Sequence, residues 1–181
     1  PDTFKFFMAM GVPMLQLYGQ TELTGIYCTQ VPGQPPDFDA VGRGLTGDYK
    51  IQIHNPDPNG VGEIVSQHPY MFQGYYKNEQ AMRADVRDGW MHTGDAGFIK
   101  PSGQLVVIDR LKDLAVMSTG ERFSPQFIEN KLKFSPYISE AVILGDQRDY
   151  PAAIICIRFA IVSKWAEQNR MSFTTYSDLA S

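Results

Sequence analysis

The chain has few cysteines and neither a long apolar run nor a basic run. Its two cysteines, Cys28 and Cys156, lie far apart, which excludes a disulfide framework or a zinc-binding spacing and favours a reducing, cytoplasmic location. No apolar stretch reaches the length of a transmembrane segment. With a net charge of −4 and no cluster of Lys and Arg, nucleic acid is not expected as a partner.

Common catalytic signatures are also missing. The chain contains no G-x-S-x-G nucleophile elbow and no phosphate-binding loop ending in Gly-Lys-Ser/Thr. His54, His68 and His92 lack the spacing of metal ligands. A position beside a site is open for His92, but surface or strand packing is its expected role. The stretch "GRGLTG" (42–47) fits G-x-G-x-x-G, but the residues after it alternate like a strand, whereas a dinucleotide site needs a helix there. We expect a glycine-rich turn.

The composition is that of a folded protein, with 43% hydrophobic and 12% aromatic residues. The chain opens on a helical pattern that places Phe4, Phe7 and Met8 on one face and ends near Gly11. Because this helix starts without an initiator methionine, we expect a fragment of a longer protein. From there to Asp109, short strand patterns alternate with turns, which predicts a small β-barrel or sandwich.

A different pattern follows Asp109. Ser124 and Pro125 form a helix start, in which a capping hydroxyl precedes a proline at the first helical position. The runs "EAVILG" and "AAIICIRFA" are expected to be buried strands, and helical spacing resumes near Ile161. The order strand, helix, strand, strand, helix predicts an α+β fold with a boundary at 110–112.

A polar cluster directly follows an apolar approach in "LQLYGQTELTG" (15–25). A turn explains this cluster if Gly19 adopts an unusual backbone angle and the polar side chains are solvated. A ligand site also explains it, since Tyr18 offers a ring for stacking, Thr21 a hydroxyl and Glu22 a carboxylate for a hard cation. The stretch alone leaves both interpretations open.

Two later segments carry a similar ambiguity. In "WMHTGDAG" (90–97), Asp95 follows Gly94 where a strand is expected to end, and such a carboxylate either bonds its own turn or accepts two hydrogen bonds from a vicinal diol such as ribose. In "DRLKDL", Arg110 and Lys112 have the pattern of a solvated charged turn. Taken singly, both segments favour the turn.

The order of the segments is more informative than any one of them. Tyr-Gly-x-Thr-Glu is followed by "GEIV" and "GYY", then by Trp-x-x-Thr-Gly-Asp, Asp-Arg-x-Lys-Asp, a turn at Gly120 and the Ser-Pro helix start. In this order the segments resemble the adenylate-forming (AMP-binding) superfamily over nearly the whole chain. The stretch "DRLKDLAVMSTGERFSP" is most similar to long-chain fatty acyl-CoA ligases, although Thr119 stands where these often have glycine and Val116 where several branches have lysine.

The resemblance implies a division of the chain. Residues 1–109 would be the end of the large N-terminal adenylation domain with its β-barrel-like subdomain, 110–112 a hinge, and 113–181 part of a small α+β C-terminal domain. The superfamily's phosphate loop would precede residue 1 and its catalytic lysine would lie beyond Ser181, so the isolated chain is expected to be inactive.

The resemblance also implies roles for single residues. Tyr18 would stack on adenine, with Gly19 and Gln20 in the same nucleotide-binding segment and Gly19 letting the backbone come close. The hydroxyl of Thr21 would bond the α-phosphate, and Glu22 would be the Mg²⁺ ligand.

Further along the chain, Asp95 would accept the ribose hydroxyls and Arg110 would reach the ribose or a phosphate. Lys112 would act at the hinge between the two half-reactions, and the loop around Gly120 would face the active site during thioester formation.

The implied activity is that of an ATP-dependent carboxylate (fatty acid)–CoA ligase. The full-length enzyme would join a small-molecule carboxylate to AMP and then pass the acyl group to coenzyme A. ATP and Mg²⁺ would be required for the first step. Three alternatives remain: an acyl-AMP ligase that loads a carrier protein, a non-catalytic nucleotide-binding relative, and a β-barrel interaction module, against which the ordered motifs argue.

Overall fold

The computed structural model describes residues 2–45 and 47–180, without the side chain of Asp2. Pro1, Ser181 and Thr46 of the "GRGLTG" stretch lie outside the described residues. The chain divides into two compact units, Pro1–Lys112 and Asp113–Ser181. The first is rich in β-strand and the second mixes helices with strands, so the α+β fold class is confirmed. Within the described ranges, no helix is long and apolar enough to cross a lipid bilayer.

The first unit consists of two antiparallel sheets preceded by helix α1 (Asp2–Ala9). The first sheet has the order β1 (Leu17–Gln20), β2 (Gly25–Thr29) and β3 (Arg43–Gly44), with a 3-10 turn at Thr21–Leu23. Next along the chain are β4 (Lys50–His54), β5 (Gly62–Gln67), helix α2 (Glu79–Asp85), β6 (Val86–Arg87), β7 (Trp90–Ile99) and β8 (Leu105–Arg110). The second sheet has the order β4-β5-β7-β6, and β8 also pairs with β7.

Buried side chains from both sheets form one core in the first unit: Leu23, Tyr27, Cys28, Ile64, Met91 and Leu105. Burial of such a side chain stabilises a fold by about 1.5–3 kcal/mol, more than a surface ion pair contributes. The same burial raises the pKa of the Cys28 thiol to about 12, so this cysteine stays protonated. The shared core confirms the predicted barrel-like character of the β-rich unit.

The segment expected to be a glycine-rich turn joins the two sheets. Leu105 N donates to Gly42 O at 2.7 Å, and Val41 N donates to Leu105 O at 2.9 Å. Gly42 has φ +104, and a Cβ there would lie 2.0 Å from the Thr29 carbonyl carbon, so no other residue fits. The chain then continues into β4 and not into a helix, as the alternating pattern predicts.

Helix α1 buries only part of the face that carries Phe4, Phe7 and Met8. Phe4 is buried and packs edge-on against the ring of Phe38, with ring centroids 5.4 Å apart. Met8 is half-buried, but Phe7 is exposed. The predicted helix is confirmed and ends at Ala9, shortly before Gly11, and of the three residues on its predicted face only Phe4 is fully buried.

The second unit begins with a hairpin of β9 (Ala115–Val116) and β10 (Arg122–Phe123). Helix α3 (Pro125–Lys133) then leads into the antiparallel pair β11 (Ile138–Leu144) and β12 (Ala152–Ile157), followed by α4 (Phe159–Gln168) and α5 (Tyr176–Ala180). The predicted start of α3 is confirmed, because Ser124 Oγ accepts a hydrogen bond from Phe127 N at 2.9 Å and Pro125 is the first helical residue.

The expectation that both apolar runs form buried strands is wrong. Helix α3 packs against β11, whose Ala141 and Ile143 are buried, but Val142 and Leu144 point to the opposite face and are about half exposed. The residues of β12 are exposed or partly exposed along its whole length. A continuous apolar run is typical of a strand covered on both faces, and among the described residues this two-stranded sheet has no second covering layer.

Substituting Ser124→Ala is expected to destabilise the second unit by about 1 kcal/mol, because the amide of Phe127 loses its capping acceptor. Trp165 is the fluorescent reporter of this unit in a Trp90→Phe background, and urea unfolding gives the change. Ser163→Ala makes the same chemical change inside α4 and is expected to be neutral or slightly stabilising. Equal effects of the two variants would contradict the capping role.

Candidate functional site

Strand β7 does not end at Asp95, as the sequence suggested, but bulges there and continues to Ile99. The register between β5 and β7 shifts so that residues 93–95 lie opposite Ile64 alone. Gly94 adopts φ +69, in the left-handed region that favours glycine. Gly94 and Asp95, where the sequence suggested the end of a strand, therefore mark a β-bulge, a feature that redirects a side chain within a strand.

The bulge is held by the buried carboxylate of Glu63 on β5. Its Oε2 lies 2.7 Å from His92 Nδ1, and because a carboxylate only accepts, that nitrogen carries the hydrogen. Its Oε1 accepts the Gly94 amide at 3.2 Å. Thr93 Oγ1 donates to the Ile64 carbonyl at 2.7 Å and accepts from the Asp95 amide at 3.1 Å. These bonds fix the backbone that leads into Asp95.

The Asp95 carboxylate is held from two directions. Tyr18 Oη, on β1 of the other sheet, donates to Oδ2 at 2.5 Å. Arg110, the register partner of Asp95 on β8, donates to Oδ1 at 2.7 Å. Burial, and then the hydrogen bond to Asp95, raise the pKa of Tyr18 above its usual range, so the phenol remains a donor. A carboxylate has about four lone-pair sites, so each oxygen keeps room for one more donor.

Gln20 extends this cluster toward a cavity. Its Nε2 donates to the Thr93 carbonyl at 3.1 Å, and Arg110 Nη1 approaches the same oxygen at 3.4 Å. Gln20 Oε1 is buried and has no hydrogen-bond partner in the described part of the chain. Buried acceptors are seldom left unpaired, so this oxygen is available to a donor on a ligand.

Glu22 lies at the other side of the cavity, in the 3-10 turn after β1. Its carbonyl accepts the Phe72 amide at 2.9 Å, and its Oε1 accepts Tyr75 Oη at 3.0 Å. Tyr75 Oη also lies 3.0 Å from Asp85 Oδ2. Burial and these two carboxylates raise the pKa of Tyr75. Tyr75 stood in the quoted "GYY" without an assigned role and no sequence signal pointed to Asp85, so sequence analysis missed both.

These side chains line one cavity of about 310 Å³. It is lined by Gln20, Glu22, Glu63, Tyr75, Asp85, Arg87, Met91, His92, Thr93, Gly94 and Arg110. Asp95 is bonded to the lining residue Arg110, and Tyr18 is bonded to Asp95, so both lie next to the cavity. Thr21 and Lys112 are exposed and are not among the lining residues. A larger cavity of about 670 Å³, in the second unit, contains none of the predicted site residues.

Gly19 has a structural role that the sequence did not suggest. It does not adopt a positive φ, so the interpretation as an unusual backbone angle is wrong. A Cβ at this position would lie 2.1 Å from the Gly25 carbonyl oxygen and 2.7 Å from Ile26 Cα. The glycine therefore lets β1 approach β2, where the register of the pair shifts between Tyr18 and Gly19.

The cavity offers carboxylates for a cation but not a complete protein cage. Over the residues described, no group of three or more His, Cys, Asp and Glu side chains is arranged to hold a metal. Glu22 and Asp85 supply two carboxylates at the cavity. Mg²⁺ is commonly held by one or two carboxylates together with water and substrate phosphates, so these donors fit Mg²⁺ completed by a nucleotide.

The β-rich unit with its Asp95 cluster, followed by a separate α+β unit, has the architecture of the adenylate-forming class. A model described as the AMP-binding enzyme matches residues 1–76, and a model described as the AMP-binding enzyme C-terminal domain matches residues 112–173. The two matches come in the expected order and together span most of the chain. The chain belongs to the AMP-binding enzyme family.

Curated relatives and solved structures are consistent with this assignment. The chain is 30% identical over 168 residues to the long-chain-fatty-acid–CoA ligase ACSBG2 of Gallus gallus, a match that covers 92% of this chain and 22% of that protein. It is 35% identical over 147 residues to a 2-succinylbenzoate–CoA ligase of Bacillus cytotoxicus, covering 75% of this chain and 29% of the relative. The chain therefore spans less than a third of the length of either relative.

One solved structure that resembles this chain contains a nucleotide. It is O-succinylbenzoate coenzyme A synthetase (MenE) from Bacillus subtilis in complex with ATP and magnesium ion, with a TM-score of 0.63 and 30% sequence identity. The alignment covers 82% of this chain and 32% of MenE. The likeness supports the fold assignment.

Substituting Glu63→Ala is expected to destabilise the first unit by about 1–3 kcal/mol, because His92 Nδ1 and the Gly94 amide lose a buried acceptor. Urea unfolding followed by Trp90 fluorescence in a Trp165→Phe background gives the value. Glu79→Ala is the matched control, since its ion pair with Arg83 is exposed and contributes less than about 1 kcal/mol. A loss no larger than that of the control would contradict the role of Glu63 in the bulge.

Proposed function

We propose that this chain is part of an ATP-dependent carboxylate–CoA ligase. Such an enzyme joins a carboxylate to AMP with release of pyrophosphate, and then transfers the acyl group to the thiol of coenzyme A with release of AMP. The observation that carries the proposal is the Asp95 carboxylate, which Tyr18 and Arg110 hold with one acceptor position left on each oxygen. That arrangement suits the two adjacent hydroxyls of a ribose.

The remaining nucleotide contacts follow from this placement of the ribose. Tyr18 is half-buried and its ring packs against Tyr27 at 5.2 Å, so an adenine stacks on the accessible part of the Tyr18 ring. Gly19 and Gln20 belong to the same segment, and the unpaired Gln20 Oε1 accepts a hydrogen bond from the nucleotide. The Arg110 side chain is 56% exposed, which lets its guanidinium reach the ribose or the α-phosphate while it bonds Asp95.

The proposed chemistry needs negative charge to be stabilised at the α-phosphate. An oxygen of the substrate carboxylate attacks the α-phosphorus, and the bond to pyrophosphate breaks. Thr21 is exposed and would donate its hydroxyl hydrogen to an α-phosphate oxygen, and Glu22 would hold Mg²⁺. The cation, when bound, neutralises charge on the phosphates, and fixed donors such as Arg110 lower the barrier further. The acyl-AMP formed is a better acyl donor than the free acid.

The substrate class and the location are part of the proposal. Fatty acids are proposed as the acids and coenzyme A as the acceptor, supported by the name of the Gallus gallus relative. A requirement for Mg²⁺ is supported by the magnesium complex of MenE and by the carboxylates of Glu22 and Asp85 at the cavity. A reducing, cytoplasmic location is supported by the two free cysteines.

The activity is tested with the full-length protein that contains this chain. Acid-dependent release of pyrophosphate from ATP is measured with fatty acids of graded length and with 2-succinylbenzoate, and acyl-CoA is quantified after CoA is added. Pyrophosphate release followed by acyl-CoA formation is the expected result. Transfer to an acyl carrier protein but not to CoA would assign an acyl-AMP ligase, and ATP binding without pyrophosphate release from any acid would contradict an enzymatic role.

Substituting Asp95→Ala in the full-length enzyme is expected to raise the Kd for ATP about 10- to 100-fold. Hydrogen bonds between neutral hydroxyls and a charged acceptor contribute about 1.5–3 kcal/mol, and 1.4 kcal/mol corresponds to a factor of ten. Isothermal titration calorimetry gives the Kd. Asp37→Ala is the control, since Asp37 is also paired with a cation, Lys100, but does not line the cavity. An unchanged Kd for Asp95→Ala would remove this residue from the nucleotide site.

Lys112 is proposed as a hinge residue between the half-reactions. It lies in the 3-10 turn Leu111–Asp113, where the chain passes from one compact unit to the other. Hinges are a few element-terminal residues that absorb large φ/ψ changes. Its side chain is exposed, so a role as a solvated charge is the competing explanation.

Two substitutions at Lys112 separate the backbone from the charge. Lys112→Pro fixes φ near −65° and restricts Leu111, whereas Lys112→Ala removes the charge and leaves the backbone free. For a hinge, Lys112→Pro slows CoA acylation from supplied acyl-AMP more than it slows pyrophosphate exchange, and Lys112→Ala leaves the ratio of the two rates near that of the wild type. Equal slowing of both half-reactions by Lys112→Pro would disprove the hinge.

A further inference from the structure

The hydroxyl of Tyr75 lies between two carboxylates. Tyr75 Oη is 3.0 Å from Glu22 Oε1 and 3.0 Å from Asp85 Oδ2. All three residues line the cavity that also contains Gln20 and Arg110. Tyr75 comes from the segment between β5 and α2, and Asp85 is the last residue of α2, so three separate parts of the chain converge on this one oxygen.

The Tyr75 hydroxyl has two carboxylate neighbours but only one hydrogen to donate. A phenol donates one hydrogen, so it serves one of the two carboxylates at a time. Asp85 also lies at the C-terminal end of α2, where the helix dipole disfavours a negative charge. Two carboxylates joined through a neutral hydroxyl leave negative charge at this side of the cavity, which is the condition for attracting a cation.

The same segment also holds the main chain of the Glu22 turn. Phe72 N donates to the Glu22 carbonyl at 2.9 Å, and His68 Nε2 lies 3.1 Å from the Leu23 carbonyl. The rings of Phe72 and Tyr75 pack edge-on with centroids 4.9 Å apart. The segment that carries Tyr75 is therefore bonded to the backbone of the Glu22 turn. These bonds fix the position of the phenol relative to the Glu22 carboxylate.

We propose that Tyr75 is a positioning residue for Glu22 and that it orients this carboxylate for a divalent cation. The inference rests on the proposed function, in which Glu22 holds Mg²⁺ on the ATP phosphates. The phenol occupies Oε1 and leaves Oε2 for the cation. Because the glutamate side chain has several rotatable bonds, holding it beforehand removes freedom that cation binding would otherwise have to remove.

The test measures how strongly Mg²⁺ assists ATP binding to the full-length enzyme. The Kd for ATP is determined by calorimetry with Mg²⁺ and again with EDTA, in the absence of any acid, and the ratio of the two values reports the contribution of the cation. Tyr75→Phe is expected to reduce this ratio about 10-fold, the size of effect seen when a group that orients a metal ligand is removed. The Kd in EDTA is expected to stay unchanged, because Tyr75 does not touch the Asp95 cluster.

The adjacent Tyr76 provides a matched control. It is 87% exposed, and Tyr76→Phe is expected to leave both dissociation constants unchanged. Thermal unfolding of each variant identifies any loss of fold, which would alter the Kd in EDTA as well. A ratio in Tyr75→Phe equal to that of the wild type would overturn the proposal.

A further variant tests whether Asp85 competes with Glu22 for the hydrogen of Tyr75. Asp85→Asn supplies an amide that donates to Tyr75 Oη and leaves the phenol hydrogen to Glu22, so it is expected to lower the ratio less than Tyr75→Phe. A loss in Asp85→Asn as large as that in Tyr75→Phe would overturn the assignment of the positioning role to Tyr75. If the wild-type enzyme bound ATP equally well with Mg²⁺ and with EDTA, the proposed role of the cation in ATP binding would be contradicted. That outcome is distinct from an unchanged ratio in Tyr75→Phe.

Discussion

The carboxylate of Asp95 is the point on which the candidate site depends. It links the two sheets of the first unit, because Tyr18 comes from β1 and Arg110 from β8. Its position results from a bulge in β7, and the bulge exists because Glu63 accepts from both His92 and the Gly94 amide. The site is therefore held by buried polar groups that satisfy one another, and the loss of one partner leaves another unpaired.

The acidic side chains around the cavity differ in the groups to which they are hydrogen-bonded. Asp95 is paired with the guanidinium of Arg110, and Glu63 is bonded to His92. Glu22 and Asp85 instead share the neutral hydroxyl of Tyr75. Negative charge is thus paired with a guanidinium where a ribose is proposed to bind, and is hydrogen-bonded to a neutral hydroxyl where a cation is proposed to bind. A cation at Glu22 and a guanidinium at Arg110 would attract phosphate oxygens from two sides of one cavity.

The sequence predicts the helices and strands better than it predicts the burial or the contacts of their side chains. Strand alternation and the Ser124–Pro125 cap identify β4 and the start of α3, because these signals act over a few neighbouring residues. Burial of β11 and β12 was predicted wrongly, since an apolar run does not tell how many layers cover it. The bond between Tyr18 and Asp95 joins residues 77 positions apart and follows from no local pattern. Family resemblance named both residues but did not predict their contact.

The motif glycines have scaffold roles, which changes how the motif is interpreted. In Tyr-Gly-x-Thr-Glu, Gly19 is required by the approach of the neighbouring strand and not by the backbone angle. In Thr-Gly-Asp, Gly94 is required by a positive φ and has open space where a Cβ would lie. A side chain at Gly19 would separate β1 from β2, whereas one at Gly94 would strain the bulge. Either change would displace one of the two groups that meet at the Tyr18–Asp95 hydrogen bond. These glycines thus serve the site through the strands that carry Tyr18 and Asp95.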